Sequence, residues 1–170
     1  MKITKQGNSD LFPNPVALVS SKYKDEESII TLAWVGTVCS NPPMISISIR
    51  PSRFSYGLIK RSMEFVLNIP TSKMIREIEL CGTKSGKNTD KWKLCEFTRQ
   101  PSIDIKIPAI LECPVNLECK VHQIYSLGTH DMFIAEVLKI HRNPEWNNKY
   151  EEMVVFARGF YGKVQPVDSK

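Results

Sequence analysis

Met44-Ile-Ser-Ile-Ser-Ile-Arg50 places Ile45, Ile47 and Ile49 in strict alternation with Ser46, Ser48 and Arg50. A two-residue period of this kind is that of a β-strand with one face against a core. The other face carries two hydroxyls and a guanidinium, unusual equipment for a face meeting only water. The chain around it reads as more strands of the same kind.

On the N-terminal side, Pro15-Val-Ala-Leu-Val-Ser20 reads as a buried strand whose edge the proline marks. Charged residues Lys22–Glu27 form a turn, and Ser28–Val35 returns, so the two make a hairpin. On the C-terminal side, Ser52 opens a short helix with Phe54, Leu58 and Ile59 on one side and Lys60 and Arg61 on the other. Glu64–Ile69 is strand. Pro70-Thr71 opens a second helix with an apolar stripe of Met74, Ile75 and Ile78, ending at Cys81-Gly82. The polar loop Gly82–Thr89 leads to a short helix around Asp90–Cys95. Val115–Val121 alternates, with a bulge expected near His122-Gln123 where the parity shifts. Leu127–Asp131 is a turn, Met132–Ile140 a strand, and Val154–Phe156 with Phe160–Val164 supply the last strands. Many strands joined by short turns, with two or three short helices, predict a closed or nearly closed antiparallel barrel in an α+β chain dominated by β.

One domain spanning residues 1–170 is expected, because a chain of this length buries roughly 70% of its unfolded surface without a disulfide or metal. The start is too polar for the apolar core of a signal peptide, and no run approaches the roughly 18 apolar residues of a membrane helix. Five cysteines form no C-x-x-C pair, which suggests neither a disulfide framework nor a zinc site and points to a reducing cytoplasm. The net charge of +5 is spread among acidic residues. That argues against a nucleic-acid-binding barrel, which needs clustered basic residues and exposed strand aromatics.

Several segments carry a family pattern in order. They are Thr31-Leu-Ala-Trp-Val-Gly-Thr-Val-Cys-Ser-Asn-Pro-Pro-Met44, Ser46–Tyr56, Glu64–Asn68, Cys81-Gly-Thr-Lys-Ser-Gly86, Pro114–Cys119 and Leu127-Gly-Thr-His-Asp-Met-Phe-Ile-Ala-Glu-Val137. From Pro15 to about Tyr161 the chain resembles the flavin reductase-like, flavoredoxin-type family. The resemblance implies a split β-barrel that binds FMN, commonly as a homodimer with the flavin near the subunit interface. It further implies electron transfer from NADH, NADPH or a redox-protein donor through the flavin to a flavin, metal or protein acceptor. A carrier reduced only by a protein donor is the alternative. The chain has no G-x-G-x-x-G fingerprint, so a nicotinamide would have to stack on the flavin directly.

A flavin needs donors and positive charge at its phosphate and a flat apolar slot at its ring. Arg53 and Ser55, at a helix start with free N–H groups, suit the phosphate. Lys84 and Lys91 could reach the same anion, and Lys91 matches a family lysine. The resemblance places Trp34, read as mid-strand, beside the ring. It gives Thr37, Val38, Cys39 and Ser40, read as the link after that strand, backbone donors to the ring. With no histidine near it in sequence, Cys39 reads as a small wall residue. His130 is expected beside the flavin, orienting a nicotinamide or stabilising charge on the reduced ring. Phe160 and Tyr161 match an aromatic pair that closes over the site. Ser28 corresponds to a position near the ring where many relatives carry Asn.

Overall fold

Ile47 and Ile49 are fully buried, as their alternation predicts, and the sheet is assembled around them. The computed structural model describes residues 2–9, 11–146, 149 and 152–165. Strands β1 (Asn14–Pro15), β2 (Ala17–Tyr23), β3 (Glu26–Leu32), β4 (Val35–Ser40) and β5 (Pro43–Ile49) come first, followed by helix α1 (Phe54–Ser62) and β6 (Glu64–Ile69). A 3-10 turn (Ser72–Met74) runs into α2 (Ile75–Thr83), and α3 (Lys91–Leu94) follows after the polar loop. The chain continues through β7 (Arg99–Gln100), β8 (Ala109–Ile110), β9 (Val115–Ser126), β10 (Asp131–Arg142), β11 (Val154–Ala157) and β12 (Phe160–Lys163).

Seven strands form one antiparallel sheet in the order β3-β2-β6-β9-β10-β5-β4. The sheet rolls up: Ile30 and Leu32 of β3 share one core with Ile47 and Ile49 of β5, Phe65 of β6 and Phe133 of β10. Its end strands β3 and β4 do not pair, so the barrel is split along a seam. The other face of β2 and β3 is buried as well. Leu18 and Ile29 pack there on Ile78, Cys81, Trp92 and Cys95 from the helical side. β2 is therefore apolar on both faces, which explains its continuous rather than alternating run.

Most boundaries follow the sequence reading, with three differences. The first hairpin extends into the charged stretch, turning only at Lys24-Asp25, where Lys24 takes a left-handed φ of 54°. Its charges pair across the strands, Lys22 with Glu27 at 2.8 Å. Second, Thr37–Ser40 is strand, not link, and Trp34 lies in the two-residue connector between β3 and β4. Third, β12 folds back on β11 through Arg158-Gly159, both at positive φ (45° and 91°), the requirement of a tight two-residue hairpin that glycine meets without strain. The expected bulge is present: register shifts so that Gln123 faces Ile134 and Val121 faces Ala135, leaving His122 out of the ladder.

Residues 101–113 are held against the barrel by buried polar side chains. The Asn68 carbonyl oxygen accepts from Ile110 N–H at 3.0 Å and from Asn116 Nδ2 at 2.8 Å. Fully buried Glu118 accepts from the N–H groups of Ile103 and Asp104, both at 2.8 Å, and bonds His141 Nε2. Burial alone would raise the Glu118 carboxyl, but the Ile103 N–H, His141 and the Asp104 N–H outweigh it and hold the group below its usual value. Such a carboxylate stabilises the fold above its unfolded pKa, and the contribution is lost as pH falls through the lower folded value. Glu118→Gln should therefore cost about 1–3 kcal/mol in urea unfolding at pH 7, and less of that difference should survive below pH 4. Equal penalties at both pH values would refute the role of the charge.

Candidate functional site

Where the seam passes the end of β5, it opens into a cleft of three adjoining cavities. The narrow end, about 80 Å³, lies among Ser52, Arg53, Ser55, Lys84, Gly86 and Lys91. The middle, about 470 Å³, is lined by residues 30–34 of β3 and its connector, Ser48 and Arg50 of the polar β5 face, Arg53 and His130. The third, about 560 Å³ and more apolar, is lined by Val16, Leu80, Phe156 and Tyr161 with Arg76 and Glu79. Gly82 borders all three.

The narrow end is electropositive by construction. Arg53 is the N-cap of α1, and no side chain caps that helix. Tyr56 N–H turns back to Arg53 O at 3.0 Å, and the N–H groups of Phe54 and Ser55 are left at a positive dipole end, an arrangement that favours an anion. Lys91 is 4% exposed, and its ammonium donates to Ile29 O at 2.6 Å and Cys81 O at 2.7 Å. Two of its three donors are thus spent on the main chain. Burial pulls its pKa down, and the nearby Arg53 charge acts in the same direction. Lys91 is thus first a positioning group, with one N–H left over at the cavity lining. Lys84 is exposed at the rim of the cavity.

The middle cavity is aromatic and hydrogen-bonding. Trp34 is fixed by its carbonyl, which accepts Ser48 N–H at 2.9 Å, and its ring lies 4.3 Å from that of His130. His130 Nδ1 bonds Thr129 Oγ1 at 2.9 Å. Next to it, buried Asp131 accepts from Tyr56 Oη at 2.7 Å, and Tyr56 accepts from Lys60. This chain of bonds fixes α1 to the start of β10. Burial lowers the pKa of His130, and Arg50 and Arg53 lower it further. The neutral form of the imidazole is favoured accordingly. Arg50 joins the site from the end of the alternating strand, where its guanidinium stands out among the serines.

Several expected residues lie elsewhere. Thr37, Val38, Cys39 and Ser40 occupy the free edge strand β4 and line none of the three cavities. Phe160 is 77% exposed, so the aromatic cover over the cleft is Phe156 with Tyr161, their rings 5.3 Å apart. Ser28 is buried beneath Gly86 and its hydroxyl has no partner. A Cβ at residue 86 would stand 2.1 Å from Ser28 Oγ and 3.0 Å from Phe54 Cδ1. Only glycine lets the loop close down there.

The flavin reductase like domain model matches residues 9–165, and the chain belongs to that family. A Pyrococcus abyssi protein of no stated function is 35% identical over 133 residues, 78% of this chain and 76% of its own. A flavoredoxin structure from Methanosarcina acetivorans superposes with a TM-score of 0.92 at 26% identity, covering 100% of this chain and 95% of that one. An NADH-dependent FMN reductase from Serratia proteamaculans is 24% identical over 115 residues, 68% of this chain and 63% of its own.

Two measurements probe this geometry. In an NMR titration the His130 ring should show a midpoint below the usual 6.5, and Arg50→Ala should raise it. An unchanged midpoint in the variant would remove Arg50 from the site's electrostatics. Gly86→Ala should destabilise the protein by about 1–3 kcal/mol, with Ser28→Gly restoring part of the loss. Additive effects of the two substitutions would show that the contact is unimportant.

Proposed function

We propose that this protein is an FMN-dependent oxidoreductase of the flavin reductase and flavoredoxin type. The observation that carries the reading is the cleft itself, in which an uncapped, cationic narrow end continues into an aromatic, histidine-bearing slot. The phosphate is assigned to the α1 N-terminus with Ser55, Arg53, Lys84 and the third N–H of Lys91. The ring is assigned to residues 31–34 and His130, with Arg50 beside its polar edge.

FMN, when bound, supplies hydride-accepting and electron-transfer chemistry that no side chain here offers. The side chains bind, orient and exclude water. His130, held by Thr129 and tilted against the Trp34 ring, presents a hydrogen-bonding group, and its lowered pKa disfavours an added positive charge. Arg50 and Arg53 offset negative charge that builds up in the slot. The apolar third cavity, under Phe156 and Tyr161, is the assigned place for the nicotinamide of NADH or NADPH. Hydride transfer between stacked rings requires close approach and dryness, with no general base. The acceptor would be a flavin, a metal or a protein, reached in a cytoplasmic setting.

A protein-reduced carrier is the second reading. It is favoured by the whole-length likeness to a flavoredoxin and by the 43% exposure of Trp34, which leaves the slot open to a docked donor. In either case a homodimer is proposed, its partner copy covering the free β4 edge and exposed Val38. Anaerobic titration decides the donor. Rapid bleaching by NADH or NADPH supports the reductase, and bleaching only by a reduced ferredoxin-like protein supports the carrier. Arg53→Ala should weaken FMN binding by about 10- to 100-fold, the loss of a charge-assisted hydrogen bond. A protein that takes up no FMN would overturn both readings.

A further inference from the structure

Cys81 and Cys95 hold their sulfur atoms 3.8 Å apart in the buried helical core, and neither is in a disulfide. Cys81 lies in the last turn of α2, and Cys95 is the residue that ends α3. Between them runs the loop that lines the narrow cavity with Gly82, Thr83, Lys84, Ser85 and Gly86. An S–S bond of about 2.05 Å would need less than 2 Å of approach between the two sulfur atoms. The other cysteines are placed differently. Cys39 lies on β4 and Cys119 inside the barrel, while Cys113 shares the helical core but bonds neither sulfur.

We propose that Cys81 and Cys95 are a reversible redox pair, oxidised by hydrogen peroxide to a disulfide that staples the 82–94 segment around the anion cavity. Cys95 is 6% exposed and Cys81 fully buried, so Cys95 reacts first. Its thiolate attacks one peroxide oxygen; the O–O bond breaks, Cys95 becomes a sulfenic acid and the departing hydroxide takes a proton to leave as water. The Cys81 sulfur then attacks the Cys95 sulfur, the S–O bond breaks, and the oxygen leaves with the Cys81 proton as a second water. Two thiols and one peroxide give one disulfide and two waters, the two electrons passing from sulfur to oxygen.

The pair is built to respond slowly and to be felt at the cleft. Burial raises both thiols, so little thiolate exists at neutral pH, although the Lys91 charge partly opposes this. Cys81 O is one of the two carbonyls that hold Lys91, so the link would fix the element that seats the ammonium. Closing a 15-residue loop also removes entropy from the unfolded chain. In a reducing compartment such a bond is a transient sensor and not a permanent staple. Its effect on FMN release rests on the phosphate assignment made above; the cross-link itself does not.

The test treats FMN-loaded protein with hydrogen peroxide under native conditions, alkylates free thiols and maps tryptic peptides by mass spectrometry. We expect a loss of 2 Da, a peptide pair joined through Cys81 and Cys95, and full reversal by dithiothreitol. The rate should rise about tenfold from pH 7 to pH 8, because the thiolate fraction does. Melting should occur on the order of 5–10 °C higher, and FMN should dissociate several-fold more slowly. Cys113→Ser should behave as wild type, and Cys95→Ser should lose every effect. No native cross-link, or one through Cys113, overturns the proposal, as does a link that leaves the melting temperature unchanged. A Cys81–Cys95 link that stabilises the protein but leaves FMN release unaltered upholds the redox pair and refutes the phosphate assignment.

Discussion

The ammonium of Lys91, sealed under the polar loop, is the interaction on which the cleft depends. Removing such a charge from water costs several kcal/mol, which only well-placed acceptors offset. Here the acceptors are two main-chain carbonyls from different elements, Ile29 in β3 and Cys81 in the last turn of α2. The second lies at the negative end of a helix dipole, where a cation is favoured. One side chain thus joins the barrel wall, the end of α2 and the start of α3. With Arg53 nearby, it also leaves the narrow cavity with more positive charge than its own lining can neutralise.

The split barrel divides labour between its surfaces. The inside is filled with aliphatic side chains packed around Tyr56, Phe65 and Phe133. Chemistry is confined to the seam, where the ladder stops and polar groups from β5, the connector after β3 and the start of β10 converge. The seam is held in shape from below by the Tyr56–Asp131 bond and at its far side by the hairpin of β11 and β12. Loop 101–113 contributes nothing to the cleft directly. Its anchors on Asn68, Asn116 and Glu118 close the opposite side of the barrel.

The strands were legible because their signals are local: Ile45–Ile49 alternates, and Val16–Val19 is a continuous apolar run into β2. So were the bulge at His122 and the helix start at Arg53 and Ser55, whereas Lys84 and His130 were expected from the family pattern; all four line the cleft. What sequence reasoning could not reach depends on long-range closure. Lys91 looks like any surface lysine until two carbonyls distant in sequence converge on it. Phe160 and Phe156 differ by one hairpin turn, and only the register of β12 on β11 shows which ring faces the cleft. Trp34 reads as mid-strand because the break between β3 and β4 has no glycine or proline in it. Ser28 is near the site in sequence logic but lies beneath Gly86, and that contact is invisible without the fold.

Gly82 stands where the three chambers meet and adds no side chain to the wall between them. Its nearest neighbour is the Thr31 methine, 3.4 Å from where a Cβ would stand. A bulkier residue there would act as a bulkhead, leaving a narrow anion compartment on one side and a shallow apolar recess on the other. The width of this crossing sets how long a molecule can lie through the protein in a single piece. A cleft controlled at such a joint can be retuned from long cofactors to short ones by one substitution, without altering a strand of the barrel.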